Sequence, residues 1–227
     1  MHLKHNSIEF KNEIENRDIE YLIHFTPTLN LYSILEHSNI MSRAKLESLD
    51  IDLFDTLEYI QFTDDIRYDD KKYINLSLSS PNTLLLSRFK EKTLEDMTIK
   101  WCILKIDPKY IYDHETLFSV TNAASTTAKR HYKITGDLDK FRMLFSDEIN
   151  ITTYNGSRNI KRGNIKKKHP TDIQAEVLVK DVIPVDSIMS VCFEKNNDLA
   201  EAKAAMSSFN TDNFIVDPSI FLPNRNK

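Results

Sequence analysis

The sequence predicts an α+β fold, and three observations support this class. Stretches with a helical spacing of apolar residues and stretches with strand alternation follow one another irregularly, whereas an α/β protein would alternate them regularly. The chain has 227 residues and a mass of 26.5 kDa, which fits one domain. Hydrophobic residues make up 41% of it. No repeat or linker-like segment interrupts them, so we expect residues 1–227 to form a single domain.

The first part of the chain is expected to contain an arm, a strand and two helices. Residues 1–17 form the N-terminal arm, which is helical in part. The apolar run Tyr21–Phe25 is typical of a strand. Leu29–His37 carries apolar residues at helical spacing after Thr28, a suitable N-cap. The acidic stretch 44–60 is expected to be a helix followed by a loop.

The middle of the chain alternates between strands and a helix. Tyr73–Ser79 alternates apolar and polar residues, which indicates a half-buried strand. Pro81–Lys90 is expected to be helical, with Leu84 among the residues that face the core. Ile99–Ile106 is rich in apolar and β-branched residues and predicts a strong strand, which Asp107 and Pro108 end. Phe118–Ser125 is expected to be a strand that passes into a loop.

The last part of the chain is expected to form two helices, a long loop, further strands and a coiled tail. In order, these are a short helix at Asp137–Phe145, a polar loop at Ile151–Thr171, strands at Gln174–Lys180 and Ile188–Phe193, a helix at Asp198–Phe209, and a tail over Phe214–Lys227.

The scarcity of glycine excludes two common nucleotide sites. The chain has only Gly136, Gly156 and Gly163. A Rossmann site needs three closely spaced glycines where the backbone approaches a pyrophosphate. A P-loop needs a lysine directly after its second glycine, and here Asn164 follows Gly163. Any nucleotide would therefore be held by side chains rather than by a glycine-rich loop.

The two cysteines and the hydropathy pattern indicate a reduced, cytoplasmic protein. Cys102 and Cys192 lie in apolar runs and are expected to be buried and structural. No apolar run approaches the length of about 18 residues that a membrane span needs. The first residues have no apolar segment of the kind that a signal peptide requires. We therefore expect no membrane association.

Charge is distributed unevenly along the chain. Residues 47–70 contain nine aspartate and glutamate residues. Residues 158–168 contain six lysine and arginine residues and no acidic residue, in a chain whose net charge is −4. A polyanion would be attracted to the basic segment and repelled by the acidic one. We expect the acidic segment to be a solvated face.

The histidines and cysteines indicate neither a metal site nor a catalytic thiol. No pair among the seven histidines has H-E-x-x-H spacing, and no C-x-x-C occurs. A reactive thiolate needs an electropositive, partly exposed setting, which a strand interior does not offer. We therefore expect no metal.

Three polar features could form a binding site. His24 is a core histidine or, with Thr26 on the same strand face, a pair of groups that bind a ribose or amide edge. Glu176 is a surface residue of its strand or a partly buried acid whose pKa suits acid–base work. Ser77 and Ser79 share a strand face with other polar residues, which is either a solvated face or a ligand-binding wall.

The chain resembles the DarT family of ADP-ribosyltransferases, toxins that modify bases of single-stranded DNA with NAD. Five segments carry the resemblance in order and spacing, and they span most of Tyr21 to Phe193. These segments are Leu22–Thr26, Leu31–His37, Leu76–Asn82, Thr121–Ser125 and Pro170–Val179. The versions at Leu76–Asn82 and Thr121–Ser125 are more similar to the guanine-directed branch than to the thymine-directed branch.

The resemblance implies an ADP-ribosyltransferase-like fold, in which a split, mixed or antiparallel sheet with flanking helices opens into an NAD cleft. NAD would be a substrate, and no metal would take part. His24, Thr26 and Asn30 would hold its nicotinamide ribose. Glu176 would be the catalytic acid. The catalytic arginine would be Arg67, with Arg43 as the alternative, and Ser77 and Ser79 would complete the cofactor site.

The resemblance also implies the acceptor and the partners. The segment 151–173 would be the substrate-recognition loop for single-stranded DNA. Its contacts would come from an aromatic side chain that stacks on a nucleobase and from lysine and arginine side chains that contact phosphates. These residues are Tyr154, Arg158, Lys161, Arg162, Lys166, Lys167 and Lys168. Guanine is the expected target, and an antitoxin with ADP-ribosyl hydrolase activity, macrodomain-like or guanine-directed, is the expected partner.

Three alternatives stay open on the sequence. RNA or a protein could replace DNA as the acceptor. A metal-dependent nuclease could use Asp172 and Glu176, although no Glu-x-Lys motif accompanies them. A non-catalytic nucleic-acid-binding regulator would keep every activity when Glu176 is replaced by glutamine.

Overall fold

The computed structural model of the protein describes residues 2–51, 71–96, 99–153 and 156–226. Its strands, in chain order, are β1 (Leu22–Pro27), β2 (Asn39–Met41), β3 (Tyr73–Leu78), β4 (Trp101–Ile106), β5 (Leu117–Ser119), β6 (Glu148–Thr153), β7 (Gly156–Lys161), β8 (Glu176–Lys180), β9 (Val182–Pro184), β10 (Ile188–Phe193) and β11 (Phe214–Val216). The α-helices are α1 (Ser7–Asn16), α2 (Leu29–Glu36), α3 (Arg43–Ser48), α4 (Thr83–Lys92), α5 (Leu138–Met143) and α6 (Asn196–Ala205).

Seven of these strands form one mixed sheet in the order β11-β10-β4-β1-β3-β8-β5. The outer pair β10 and β11 is parallel, and the other neighbours are antiparallel. Two smaller antiparallel pairs, β2 with β9 and β6 with β7, accompany this sheet. The predicted α+β class, with a mixed sheet and flanking helices, is confirmed.

The large sheet is split near its middle. β1 pairs with β4 along its whole length, from Leu22 opposite Ile106 to Pro27 opposite Trp101. On its other side, β1 pairs with β3 only at Leu22 and Ile23. β3 then continues along β8 instead. The residues of β1 after Ile23 therefore diverge from β3, and the sheet opens in the way that the resemblance predicted.

Apolar side chains cover both faces of the sheet around this split. The larger core joins Leu22, Leu104 and Phe193 of the sheet to Phe10 of α1. The second core lies on the opposite face, where Ile23, Trp101 and Ile103 meet Leu86 and Phe89 of α4. Alternate residues of β1 and β4 therefore enter different cores, as strand geometry requires. The split is consequently held between two packed layers.

Both cysteines are buried and free, as predicted. Cys102 belongs to the larger core and Cys192 to the second one. Burial raises the pKa of each thiol. Neither thiol is therefore a reactive thiolate, which agrees with a structural role.

The N-terminal arm packs against the body of the protein. The α1 side chains Phe10 and Ile14 are buried, and the Phe10 ring lies 5.8 Å from that of Phe118. The ammonium group of Lys4 is buried and donates a 2.7 Å hydrogen bond to the Thr116 carbonyl. This lysine thus ties the start of the chain to the segment that leads into β5.

The structure corrects three local expectations. Residues 151–153 and 156–161 are not loop, because they belong to β6 and β7, which pair Glu148 with Lys161 and Thr153 with Gly156. Leu84 is 53% exposed, whereas Leu86 is buried. Thr28 makes no side-chain cap at α2.

Each correction has a physical reason. In the hairpin, β7 is largely exposed, so it lacks the apolar alternation that marks a half-buried strand. Its turn depends on Gly156, whose φ of +127° suits glycine. In α4, the Asn82 side chain accepts from the Leu85 amide, which sets the helix start so that Leu86 and Phe89 face inward.

Replacing Gly136 should test how tightly the arm is packed. A Cβ atom at this position would lie 2.5 Å from the Thr116 carbonyl oxygen and 2.7 Å from the Lys4 ammonium nitrogen. Gly136→Ala should therefore lower the free energy of unfolding by about 1–3 kcal/mol, measured by chemical denaturation. Gly163→Asn is the control, because no atom lies within 4 Å there and asparagine tolerates its φ of +51°. Equal stability of Gly136→Ala and the parent would contradict this account of the packing.

Candidate functional site

A cavity of about 250 Å³ lies in the opening between β1 and β3. α2, β2 and α3 close it on one side, and β4, α4 and the start of β8 contribute further walls. Of the residues proposed from the sequence, the cavity is lined by His24, Thr26, Asn30, Arg43, Ser77 and Glu176. The structure thus brings together side chains from five separate elements at the split of the sheet.

His24 faces this cavity as a neutral imidazole. Its Nδ1 lies 3.3 Å from the main-chain oxygen of Asn75 on β3. Because a carbonyl oxygen can only accept, Nδ1 carries the proton and Nε2 is left as an acceptor. Burial lowers the pKa of His24, and the Asn75 carbonyl offsets this only in part. The ring therefore bridges the two strands at the point where their main-chain pairing has stopped.

Thr26 and Asn30 form a buried polar pair beside His24. The Asn30 amide donates a 3.1 Å hydrogen bond to the Thr26 hydroxyl. Thr26 lies two residues after His24 on β1, and Asn30 lies in the first turn of α2. The short connection between β1 and α2 therefore fixes both groups at the cavity wall.

Glu176 is the carboxylate of the cavity and lies at the start of β8. Its Oε2 accepts a 2.8 Å hydrogen bond from the Ala123 amide, and the Asn75 side chain donates a second hydrogen bond to it. Burial raises the pKa of Glu176 to about 7, the two hydrogen bonds oppose this rise, and Asp172 adds to it. The carboxyl group is therefore close to half ionised at neutral pH.

Asn75 connects the two sides of the site. Its main-chain oxygen accepts from His24 and its side-chain amide donates to Glu176. Sequence reasoning gave this residue no role beyond the polar face of its strand. The alternation of Tyr73, Asn75 and Ser77 along β3 was the signal that could have singled it out. The Ala123 amide, by contrast, has no signature in the sequence because every residue but proline carries one.

The two serines have different positions. Ser77 lines the cavity, and its hydroxyl accepts a 3.2 Å hydrogen bond from the Asn82 amide. Ser79 follows β3 with a φ of +60° and is not among the lining residues. Within the described part of the chain, its buried hydroxyl has no hydrogen-bond partner. The geometry therefore supports a ligand contact for Ser77 alone.

Of the two proposed arginines, the structure describes one. Arg43 begins α3 and lines the cavity. Its Nε lies 3.5 Å from a carboxylate oxygen of Glu47, one helical turn along. Arg67 lies outside the described residues. Arg43 is thus a cation within reach of the site, but the choice between the two arginines is unchanged.

The sequence model of one protein family matches residues 23–222 of this chain. That family is described as "ssDNA thymidine ADP-ribosyltransferase, DarT". The chain belongs to the DarT family of ADP-ribosyltransferases. The resemblance stated from the sequence is therefore confirmed at the level of the family, and the match covers both His24 and Glu176.

Solved structures share the fold of this DarT-family chain. DarT of Thermus sp. 2.9 in complex with carba-NAD+ has a TM-score of 0.57 at 12% identity, with 90% of this chain and 99% of that one covered. The same protein with ADP-ribosylated ssDNA has a TM-score of 0.56 at 10% identity, with 90% and 97% covered. At such identities the likeness establishes the fold alone.

Thermosipho africanus DarTG in complex with ADP-ribose is also similar, with a TM-score of 0.54 at 20% identity. The alignment covers 91% of this chain but only 52% of that one, so the chain spans about half of the Thermosipho protein. No curated protein matches the chain in sequence.

The six basic residues of segment 158–168 in this DarT-family chain divide into two groups. Lys167 and Lys168 pair with Asp18 and Glu20 at 2.9 and 3.0 Å, and Arg162 donates to three acceptors of the turn that follows β7. The other three are exposed or partly exposed and form no ion pair with any acid in the described ranges. These are Arg158, Lys161 and Lys166. Tyr154 lies outside the described residues.

Neither a metal-binding cluster nor a membrane-spanning helix occurs among the described residues. Within the described ranges, no three histidine, cysteine, aspartate or glutamate side chains lie together as metal ligands would. No described helix is long and apolar enough to cross a membrane.

The raised pKa of Glu176 makes a prediction about stability. A folded-state pKa of about 7, above the ordinary value of 4.5, means that its contribution is fully present below pH 4.5 and is lost as the pH rises through 7. Glu176→Gln carries no charge and should be more stable than the parent at pH 8.5, by up to about 3 kcal/mol, with no such gain at pH 4. Chemical denaturation at both pH values measures this difference.

Glu115→Gln provides the control of opposite sign. A hydrogen bond from Lys180 lowers the pKa of Glu115, so removing this carboxylate should not stabilise the protein at alkaline pH. A Glu176→Gln variant that is no more stable than the parent at pH 8.5 would show that the carboxyl group ionises as freely as an exposed one.

Proposed function

We propose that this chain transfers ADP-ribose from NAD to a base of single-stranded DNA and releases nicotinamide. One observation carries the proposal: Glu176 lies in the opening of the sheet, is held by the Ala123 amide and is linked through Asn75 to His24. Burial raises the pKa of this carboxyl group to about 7. The structures of Thermus sp. 2.9 DarT in complex with carba-NAD+ and with ADP-ribosylated ssDNA share this fold and support the proposal.

In the proposed reaction, the bond between nicotinamide and C1′ of the ribose breaks, and nicotinamide leaves with the bonding pair. The positive charge that develops on the ribose is stabilised by the Glu176 carboxylate, which is held by the Ala123 amide and Asn75. A nitrogen of the acceptor base bonds to C1′. Its proton passes to Glu176 and then to solvent.

His24, Thr26 and Asn30 would hold the ribose attached to nicotinamide and the carboxamide of the nicotinamide ring. The free Nε2 of His24 can accept a hydrogen bond from a ribose hydroxyl or an amide. The Thr26 and Asn30 pair is already ordered, so little conformational freedom is lost on binding. Arg43 or Arg67 would contact the pyrophosphate, for which a guanidinium fork replaces a glycine-rich loop.

We propose guanine as the acceptor base and, as partner, an antitoxin with ADP-ribosyl hydrolase activity. The guanine proposal rests on the segments Leu76–Asn82 and Thr121–Ser125, whereas the description of the family names thymidine. The antitoxin proposal follows from the toxicity that modification of DNA would cause. Acceptor bases must be unstacked to react, which favours single strands.

The nuclease alternative has less support. Asp172 is buried and is not among the residues that line the cavity, so it does not share an open site with Glu176. A nuclease would lose its activity in EDTA, whereas the proposed transferase would keep it.

Glu176→Gln tests the proposed chemistry. Glutamine can still accept from the Ala123 amide, but it cannot take a proton or carry negative charge. We expect the transfer of label from NAD to a single-stranded oligonucleotide to fall by about 10²–10⁴-fold. Glu201→Gln on the exposed side of α6 is the matched control and should retain full activity. Undiminished transfer by Glu176→Gln would refute the role given to this carboxylate.

The same assay identifies the acceptor. Guanine-containing oligonucleotides without thymine should be labelled, and thymine-containing ones without guanine should not. Label on thymine alone would overturn the guanine proposal but keep the transferase, and label on RNA alone would change the polymer. If no oligonucleotide is labelled by the unaltered protein, the proposed function itself is wrong.

Binding of single strands should depend on the three basic side chains, Arg158, Lys161 and Lys166, that have no acidic partner among the described residues. Each lysine or arginine side chain that contacts a phosphate contributes about −0.7 to the slope of log K against log salt concentration for single strands. Replacing Arg158, Lys161 and Lys166 by alanine should therefore reduce the steepness of that slope by about 2. Lys195→Ala with Lys203→Ala, at exposed positions near and within α6, is the control. Identical slopes for the triple variant and the parent would remove these residues from the interface.

A further inference from the structure

The turn between β7 and β8 is held by two arginines from different parts of the chain. Arg162 donates from Nη1 to the His169 carbonyl at 2.9 Å and to the Thr171 hydroxyl at 3.3 Å. Arg225 comes from the segment after β11, and its Nη2 donates to the Pro170 carbonyl. Both guanidinium groups thus reach the few residues that precede Glu176.

The backbone around Arg225 is also attached to this turn. The Lys166 amide donates a 2.8 Å hydrogen bond to the Arg225 carbonyl. Ile165 and Asn226 form an isolated antiparallel bridge. The segment 225–226 therefore lies along the turn as a strap, and the Arg225 side chain enters it from a fixed position.

Asp172 is the buried carboxylate of the turn and shapes the approach to Glu176. It is 1% exposed. Its Oδ1 accepts from the Gln174 amide at 3.0 Å, and its carbonyl accepts from the Ala175 amide at 3.1 Å. These bonds define the bend from which β8 starts. Its second oxygen, Oδ2, is buried without a hydrogen-bond partner among the described residues.

Arg225 is a cation that can compensate the charge of Asp172. His169 is neutral, because burial and the cations Arg225, Lys168, Lys166 and Arg162 lower its pKa to about 4. The Arg162 guanidinium donates hydrogen bonds to the turn, and the charges of Arg17 and Asp147 act on its pKa. Arg225 stays charged at neutral pH and is attracted to Asp172, and its Nε, like Oδ2 of Asp172, is buried without a partner within the described ranges.

Asp172 acts in turn on the proposed catalytic group. The charge of Asp172 raises the pKa of Glu176, and the hydrogen bonds from Ala123 and Asn75 lower it. His24 from β1, which is neutral, lines the same cavity. A change in the compensation of Asp172 is therefore transmitted to Glu176 without any direct contact between Glu176 and Arg225.

We propose that Arg225 is a positioning residue, which binds the Pro170 carbonyl beside the buried Asp172 carboxylate and so holds the turn that places Glu176 in a form suited to catalysis. Its effect on activity rests on the proposed function. Its effect on the ionisation of Glu176 does not rest on the proposed function.

The experiment measures the ionisation of Glu176 in the parent protein and in five variants. In each, the pH dependence of the stability difference between Glu176 and Glu176→Gln gives the pKa of this carboxyl group, without any assay of activity. Arg225→Ala should raise this pKa by about half a unit or more, because Asp172 then repels Glu176 without compensation. Arg225→Lys should leave it near its original value, since the charge is kept.

Two further variants make the test specific. Asp172→Asn added to Arg225→Ala should bring the pKa of Glu176 back to or below that of the parent. Asp172→Asn alone should lower it, which tests the coupling even if Arg225→Ala does not fold. Arg88→Ala, on the exposed side of α4, is the control and should change nothing.

The pH profile of transfer gives the second readout. Arg225→Ala should move the acidic limb of kcat to higher pH, while KM for NAD stays within about twofold because Arg225 does not line the cavity. A pKa of Glu176 that is unchanged in both Arg225→Ala and Asp172→Asn would overturn the proposal. If that pKa shifts while no variant transfers ADP-ribose, the proposed function fails and the positioning role stands.

Discussion

The separation of β1 from β3 after Ile23 is the constraint on which the whole site depends. An antiparallel ladder satisfies main-chain groups on both sides of a strand, and a strand that leaves its neighbour gives up those partners. At Asn75 the carbonyl that faces the gap accepts instead from the imidazole of His24. The histidine therefore keeps the sheet open at low cost, and this contact also fixes which ring nitrogen faces the cavity.

The same opening accounts for the behaviour of Glu176. A carboxylate loses hydration when it is buried, and two donors, the Ala123 amide and the Asn75 side chain, recover only part of that loss. A third strong donor would have kept the group ionised and made it a weaker base. A drier pocket without donors would have kept it protonated. The balance of burial against these two donors leaves a carboxyl group with a pKa of about 7, which can change its protonation state near neutral pH.

Part of the site could be predicted from the sequence because several of its residues lie on strands whose alternation is legible. His24 and Thr26 share a face of β1, and Glu176 interrupts the apolar face pattern of β8. What the sequence could not supply is contact between strands. Nothing in the order of residues indicates that Asn75 meets both His24 and Glu176, because that meeting depends on where β1 and β3 part.

The fold shows the same division between local and non-local information. The strands Ile99–Ile106 and Ile188–Phe193 were predicted within two residues, since both are long apolar runs. The hairpin of β6 and β7 was missed because one of its strands faces solvent. The pairing of β2 with β9 was missed too, because three-residue strands are too short to establish a period.

The distribution of cations follows from the chemistry of a site that would receive two anions. A pyrophosphate and a nucleic-acid backbone near Glu176 would each raise its pKa by repulsion, and the protonated form can neither stabilise a ribose cation nor accept a proton. Cations must therefore remain available for these ligands. Lys167 and Lys168 are already bound to Asp18 and Glu20, and Arg162 is bound to its own turn. Within the basic segment 158–168, the side chains with no acidic partner among the described residues are thus Arg158, Lys161 and Lys166, on the hairpin strand and at the start of the turn. There they can neutralise a phosphate without stabilising the fold, so binding of an acceptor need not loosen the turn that positions Glu176.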